Sequence, residues 1–125
     1  MSKVIDSSAI LALIFLERGA ENVASVLEGS LMSTVNVAEV FTKLAEKDLL
    51  TKERISDFYQ LGLQIVDLDT EQALKAGELR PLTRDFGLSL GDRCCLALAL
   101  IRGTGVITAD RNWSKLKLCD VDVIR

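Results

Sequence analysis

Apolar positions along this chain fall into two patterns. Short runs, Lys3-Val4-Ile5, Leu31-Met32-Ser33, Gln64–Leu68, Gly105-Val106-Ile107-Thr108 and Val121–Ile124, have the length of strands buried on both faces. Longer segments between them carry helical spacing. Val37, Val40, Phe41, Leu44 and Ala45 form one clear stripe. Ser8–Glu17, Ala20–Leu27, Thr51–Leu61, Glu71–Leu79 and Cys94–Ile101 are the other predicted helices. Gly19, Gly29 and Gly103 punctuate them, Asp69 or Thr70 can cap Glu71–Leu79, and Pro81 should interrupt or end that helix. A loop is expected around Asp85–Gly91. Strands alternate with helices, with no repeat and no linker, so a single α/β domain over residues 1–125 with a mainly parallel sheet is expected. Two helices, the one holding Ile10–Leu16 and Cys94–Ile101, are apolar on more than one face. Burial inside the fold explains this; an interface between two copies is the alternative.

Composition narrows the chemistry. A chain of 125 residues, about half of them apolar, is large enough for a real core. Its net charge is −3, which argues against holding a polyanion by bulk electrostatics. Cys94, Cys95 and Cys119 have no framework spacing and suit a reduced compartment as small apolar groups. The run Ala9–Leu16 has the length of a signal-peptide core, but Asp6 is misplaced for one and no small-residue cleavage site follows. It is too short to cross a bilayer, which takes about 20 residues, so a cytoplasmic protein is expected. There is no histidine. That removes Ser–His–Asp and Cys–His catalysis, paired-histidine ribonuclease chemistry and imidazole zinc sites. No phosphate-cradling glycine motif is present either. Any enzyme here would work with carboxylates.

Asp6 ends the first strand, Asp110 follows the strand Val106–Thr108, and Glu39 and Asp92 lie in first turns of helices. In a parallel α/β sheet these positions share one edge, where ligands bind at the crevice of strand-order reversal. Each acid has a structural alternative. Asn36–Glu39 and Ser89–Asp92 have capping-box spacing, Asp6 and Asp110 can cap the turns after them, and Glu39 can pair with Lys43. Together they are less easily explained, because carboxylates ~5 Å apart repel by ~3 kcal/mol per pair at an effective dielectric near 20. Helix N-termini offset only ~0.3–1 kcal/mol each. Mg²⁺ or Mn²⁺ turns that repulsion into attraction and prefers oxygen ligands.

Four segments, Val4-Ile5-Asp6-Ser7-Ser8-Ala9, Asn36-Val37-Ala38-Glu39-Val40, Leu90-Gly91-Asp92 and Thr108-Ala109-Asp110, in this order make the chain resemble the PIN-domain ribonucleases, among them the VapC-type toxins of toxin–antitoxin pairs. The resemblance runs from residue 3 to residue 124. It implies a three-layer PIN-like domain with a five-stranded, mainly parallel sheet flanked by helices. It also implies endoribonuclease activity in which a metal-activated water hydrolyses RNA phosphodiester bonds, a homodimer, and a small antitoxin partner that blocks the site. Asp6, Glu39, Asp92 and Asp110 would then be the catalytic and metal-binding quartet, holding Mg²⁺ or Mn²⁺. Ser7 or Thr108 would hold a water, a carboxylate or a phosphate, and Arg93, Arg111 and Lys43 would contact phosphate. A salt bridge within the quartet explains Arg93 and Arg111 equally well, and Trp113 is expected to pack rather than stack on a base.

Other classes stay open on sequence. A PIN-family RNA-processing nuclease that is not a toxin, an inactive PIN-like binding module, a DNA nuclease and a metal-dependent phosphatase share the site's logic. A haloacid-dehalogenase phosphatase would want a second Asp where Ser8 stands, and a receiver domain a Lys where Arg111 follows Asp110.

Overall fold

The protein is described by a computed structural model that covers residues 2–125; Met1 lies outside the described residues. Its elements alternate as expected: β1 (Val4–Ile5), α1 (Ser7–Ile14), α2 (Ala20–Val26), β2 (Leu31–Ser33), α3 (Thr34–Glu46), α4 (Lys52–Tyr59), β3 (Gln64–Val66), α5 (Thr70–Thr83), α6 (Leu90–Arg102), β4 (Val106–Thr108) and β5 (Val121–Val123). Two short 3-10 turns are present as well, Arg84–Phe86 at the start of the expected loop and Arg111–Lys115 after β4. Every strand pairing is parallel, in the order β3-β2-β1-β4-β5. The chain therefore lays down β1, β2 and β3 in one direction, then crosses back to place β4 on the other side of β1. The point of reversal lies between β1 and β4, the place where open parallel sheets bind ligands beyond the strand ends.

The three central strands are buried on both faces, which is why they read as uninterrupted apolar runs. Alternation along them divides the core in two. Val4, Leu31 and Val106 face α5, α6 and the buried Trp113. Ile5, Met32 and Ile107 face the side built from α1, α2, α3 and α4. Helix α6 is sandwiched so completely that Cys94, Cys95, Leu96, Ala97, Leu98 and Ala99 are all buried, so core packing accounts for its all-round apolarity. Burial pushes the thiols of Cys94, Cys95 and Cys119 up, in keeping with their role as apolar filler. Trp113 is fully buried and unavailable to a nucleobase.

Two boundaries differ from expectation. Helix α6 starts at Leu90, ahead of Cys94, because Ser89 and Asp92 form a reciprocal capping box. Helix α5 runs through Pro81 to Thr83 rather than ending there. Proline removes one backbone N–H and its helical hydrogen bond, and α5 keeps its packing on α6 through the buried Ala76, Leu79 and Thr83.

Helix α1 closes at Leu16, which adopts a left-handed conformation with φ 53° while its side chain is 83% exposed. A leucine that packs against little gains nothing from that strained position. Leu16→Gly should stabilise the protein by ~0.5–1 kcal/mol, read as a raised midpoint in urea denaturation. A lowered midpoint would mean that Leu16 makes contacts that outweigh its backbone strain.

Candidate active site

Asp6 follows β1 at the N-cap position of α1, with extended backbone angles, but its side chain does not cap the helix. The carboxylate turns toward β4 instead. Its Oδ2 accepts hydrogen bonds from Ser8 Oγ at 2.6 Å and Thr108 Oγ1 at 2.9 Å. Both hydroxyls are themselves held by backbone amides. Ala109 N donates to Ser8 Oγ at 2.9 Å, and Asp110 N donates to Thr108 Oγ1 at 3.1 Å. Each hydroxyl thus accepts from an amide and donates to Asp6, and the two hydroxyl oxygens stand 3.2 Å apart. Both donated bonds fall on the same carboxylate oxygen, and the other, Oδ1, is buried without any partner. A buried carboxylate oxygen left bare is costly unless something outside the protein meets it.

Glu39, half-buried on the first turns of α3, is tethered in a similar way. Ser7 Oγ donates to its Oε1 at 3.0 Å and Asn36 Nδ2 donates to the same atom at 2.8 Å. Asn36, fully buried, also donates to the Gly91 carbonyl at 3.1 Å and so ties α3 to the first turn of α6. The close approach needs Gly91: a Cβ there would collide with the Glu39 carboxylate, standing 2.6 Å from its Cδ. The expected capping box at Asn36 is therefore not one; Ser33 caps α3, and Asn36 instead orients Glu39.

For the remaining two acids the structural alternative holds in part. Asp92 completes the capping box, its Oδ2 accepting from Ser89 N at 2.8 Å. Asp110 caps the turn Arg111–Lys115, accepting from Asn112 N at 2.9 Å. Neither bond uses the whole carboxylate. The four acids still act on one another. Asp6 is raised to about 6, chiefly by burial, with the charges of Asp92 and Glu39 adding to it against the two hydroxyls. Asp92 is raised too, by burial first and then by Glu39 and Asp110. They share one edge, although among the described residues no three acidic, thiol or imidazole side chains converge on a single point. The donor set is all oxygen, and with Asp6 Oδ1 bare it fits a hard cation such as Mg²⁺ or Mn²⁺.

The supporting residues divide. Ser7 and Thr108 hold carboxylates as described. Arg93 is turned away from the acids, Nη1 donating to the Ala76 carbonyl at 2.9 Å, and Arg111 Nε donates to the Arg125 carbonyl at 3.1 Å. Neither makes an ion pair among the described residues, so the alternative of a salt bridge within the quartet does not hold. Lys43 pairs with Glu46 at 3.6 Å rather than with Glu39, whose carboxylate is already tethered by Ser7 and Asn36. Sequence reasoning missed Ser8, Asn36 and Gly91 as site residues. The signal for Ser8 was available, a hydroxyl two residues beyond a strand-ending acid; Asn36 and Gly91 needed the α3–α6 contact.

The PIN domain family matches residues 3–118 of this chain. A VapC ribonuclease of Mycobacterium bovis and ribonuclease VapC42 of Mycobacterium tuberculosis are each 31% identical to it, covering 80% of this chain and 84% of the relative. The chain belongs to the PIN-domain family. Its fold is shared with a DNA-bound VapBC from Salmonella typhimurium (TM-score 0.75, 20% identity, 100% of both chains). A toxin–antitoxin complex from Klebsiella pneumoniae is similar as well (TM-score 0.74, 17% identity, 95% of this chain and 96% of that one).

The raised Asp6 has a consequence for stability in the metal-free protein. Its ordinary value of 3.8 applies unfolded and about 6 applies folded, so folding favours the protonated acid. Stability from this group is complete below pH 4 and is lost as pH rises through 6, an effect of about 3 kcal/mol. Asp6→Asn removes the titration. In EDTA the variant should match the parent near pH 4 and exceed it by up to about 3 kcal/mol at pH 7.5, measured by denaturant unfolding. No gain at pH 7.5 would mean that the charged carboxylate is accommodated without a cation.

Proposed function

We propose that this protein is a metal-dependent endoribonuclease and the toxin of a type II toxin–antitoxin pair. The observation that carries the reading is the buried Oδ1 of Asp6, left without a partner beside the point of strand-order reversal while two hydroxyls hold its other oxygen. The kinship adds weight, since the curated relatives are named as VapC ribonucleases and the similar structures are titled as VapBC or toxin–antitoxin complexes. A small antitoxin protein is the corresponding partner, and RNA the substrate. A homodimer accords with the exposed Leu74, Leu82 and Leu90 on α5 and at the start of α6, and a cytoplasmic setting accords with three free thiols.

Asp6, Asp92, Asp110 and Glu39 are the residues that would hold Mg²⁺ or Mn²⁺. Bound there, the ion supplies positive charge for the phosphate and makes a water easier to deprotonate. The chain's own groups do the positioning. Ser8 and Thr108 hold Asp6 by Oδ2 and leave Oδ1 as the oxygen free to meet a cation. Both tethers on Glu39 fall on Oε1, which leaves Oε2 to accept a proton from the attacking water. The capping bonds of Asp92 and Asp110 hold those carboxylates at the ends of α6 and β4. Attack by water in place of the ribose 2′-hydroxyl gives products that carry 5′-phosphate and 3′-hydroxyl ends.

Purified protein incubated with structured RNA should cleave it in Mg²⁺ or Mn²⁺ and not in EDTA. Asp6→Asn should lower the rate by ~100-fold or more while keeping the fold. Cleavage that survives EDTA, or 2′,3′-cyclic phosphate ends on the products, would contradict the mechanism.

A further inference from the structure

An RNA strand brings negative charge to an edge that already holds four carboxylates, in a chain of net charge −3. Nearby cations therefore decide how the strand lies, and Arg93 and Arg111 are engaged with backbone carbonyls. Other cations line a cavity of about 380 Å³ that starts at Ser8, whose hydroxyl holds Asp6, and passes between α1 and α3. One wall is Ser8, Leu11 and Phe15, three and four residues apart on one face of α1. The opposite wall is Lys43 and Lys47. These continue the stripe begun by Glu39 at i, i+4 and i+8 on α3, rising ~6 Å per step. Charge thus changes sign one helical turn away from the carboxylates. Arg125 and Glu17 also line the cavity and pair with each other at 3.1 Å, so the net positive charge there comes from Lys43 and Lys47.

The lysines are available. Lys43 and Glu46 are both more than half exposed, and such a pair contributes little and yields readily to a polyanion. Lys47 Nζ lies over the Phe15 ring, 5.7 Å from its centroid, and the ring packs in part on the core, so a base reaches it by displacing the ammonium. An aromatic ring beside lysines is the combination that binds unpaired nucleotides, bases stacking while phosphates meet cations.

We propose that this channel is the track for single-stranded RNA next to the scissile phosphate, with phosphates on Lys43 and Lys47 and one base against Phe15. The assignment rests on the nuclease reading and adds the form and path of the substrate. A base is free to lie on Phe15 only when it is not paired, so the flanking strand must be single. An acidic peptide would use the lysines but would not need the aromatic ring.

The test reads binding separately from chemistry. Fluorescein-labelled, random-sequence single-stranded RNA is titrated by anisotropy against Asp6→Asn protein and against the same protein carrying Lys43→Ala, Lys47→Ala or Phe15→Leu. Thermal melting confirms that each folds. Each lysine variant should weaken binding by about 5-fold and reduce the slope of log affinity against log salt by ~0.7. Phe15→Leu, which keeps apolar bulk, should weaken binding by about 5-fold or more with the slope unchanged. Unchanged affinity in all three overturns the track, as does a loss confined to the lysines, which would favour an acidic peptide. Cleavage by the parent protein is scored in parallel. RNA that is bound along the track but never cut would overturn the nuclease reading alone; RNA that is cut while the variants bind normally would overturn the track alone. RNA neither bound nor cut would overturn both.

Discussion

The carboxylate of Asp6 is fixed where the strand order reverses, and the arrangement of the active edge follows from how it is held. Strand β1 lies between β2 and β4, and Asp6 N donates to the Ile107 carbonyl at 3.0 Å, so its backbone cannot drift. Ser8 and Thr108 then donate to a single oxygen, while the amides of Ala109 and Asp110 hold the two hydroxyls in place. The result is a buried acid whose charged form is disfavoured by burial and by its acidic neighbours. A fold that needed only a helix cap would have used the side chain as one, and here the helix goes without.

Around that centre the helices deliver their acids in different ways. Glu39 depends on a buried amide, Asn36, and on the missing side chain of Gly91, so α3 and α6 must dock before it is placed. Asp92 and Asp110 serve two purposes, capping the segments they begin while lending charge to the same edge. Farther along α3 the sign of the surface inverts from Glu39 to Lys43 and Lys47.

Much of this was legible in the order of residues. The apolar runs of β1, β2 and β4 announce strands buried on both faces, and Gly19 and Gly103 mark real breaks, with φ of 94° and 66°. An acid after β1 and another after β4 suffice to locate the crevice once the sheet is taken as parallel. What the residues did not disclose depends on contacts far apart in sequence. Asn36 looked like a cap because spacing cannot tell that Ser33 already fills that role. Arg93 and Arg111 looked like partners for the acids beside them, whereas each finds a carbonyl supplied by another element. Pro81 looked like an end to α5, and local propensity yields there to packing against α6.

The central claim is that the charged form of Asp6 is kept for a cation. Binding of Mn²⁺ measured by calorimetry at pH 5.5, in two buffers of different ionisation enthalpy, reports the protons released as the ion binds. The account predicts net proton release that fades by pH 7.5 and is absent in Asp6→Asn. Mn²⁺ binding with no proton release at pH 5.5, or with equal release from the variant, would contradict it.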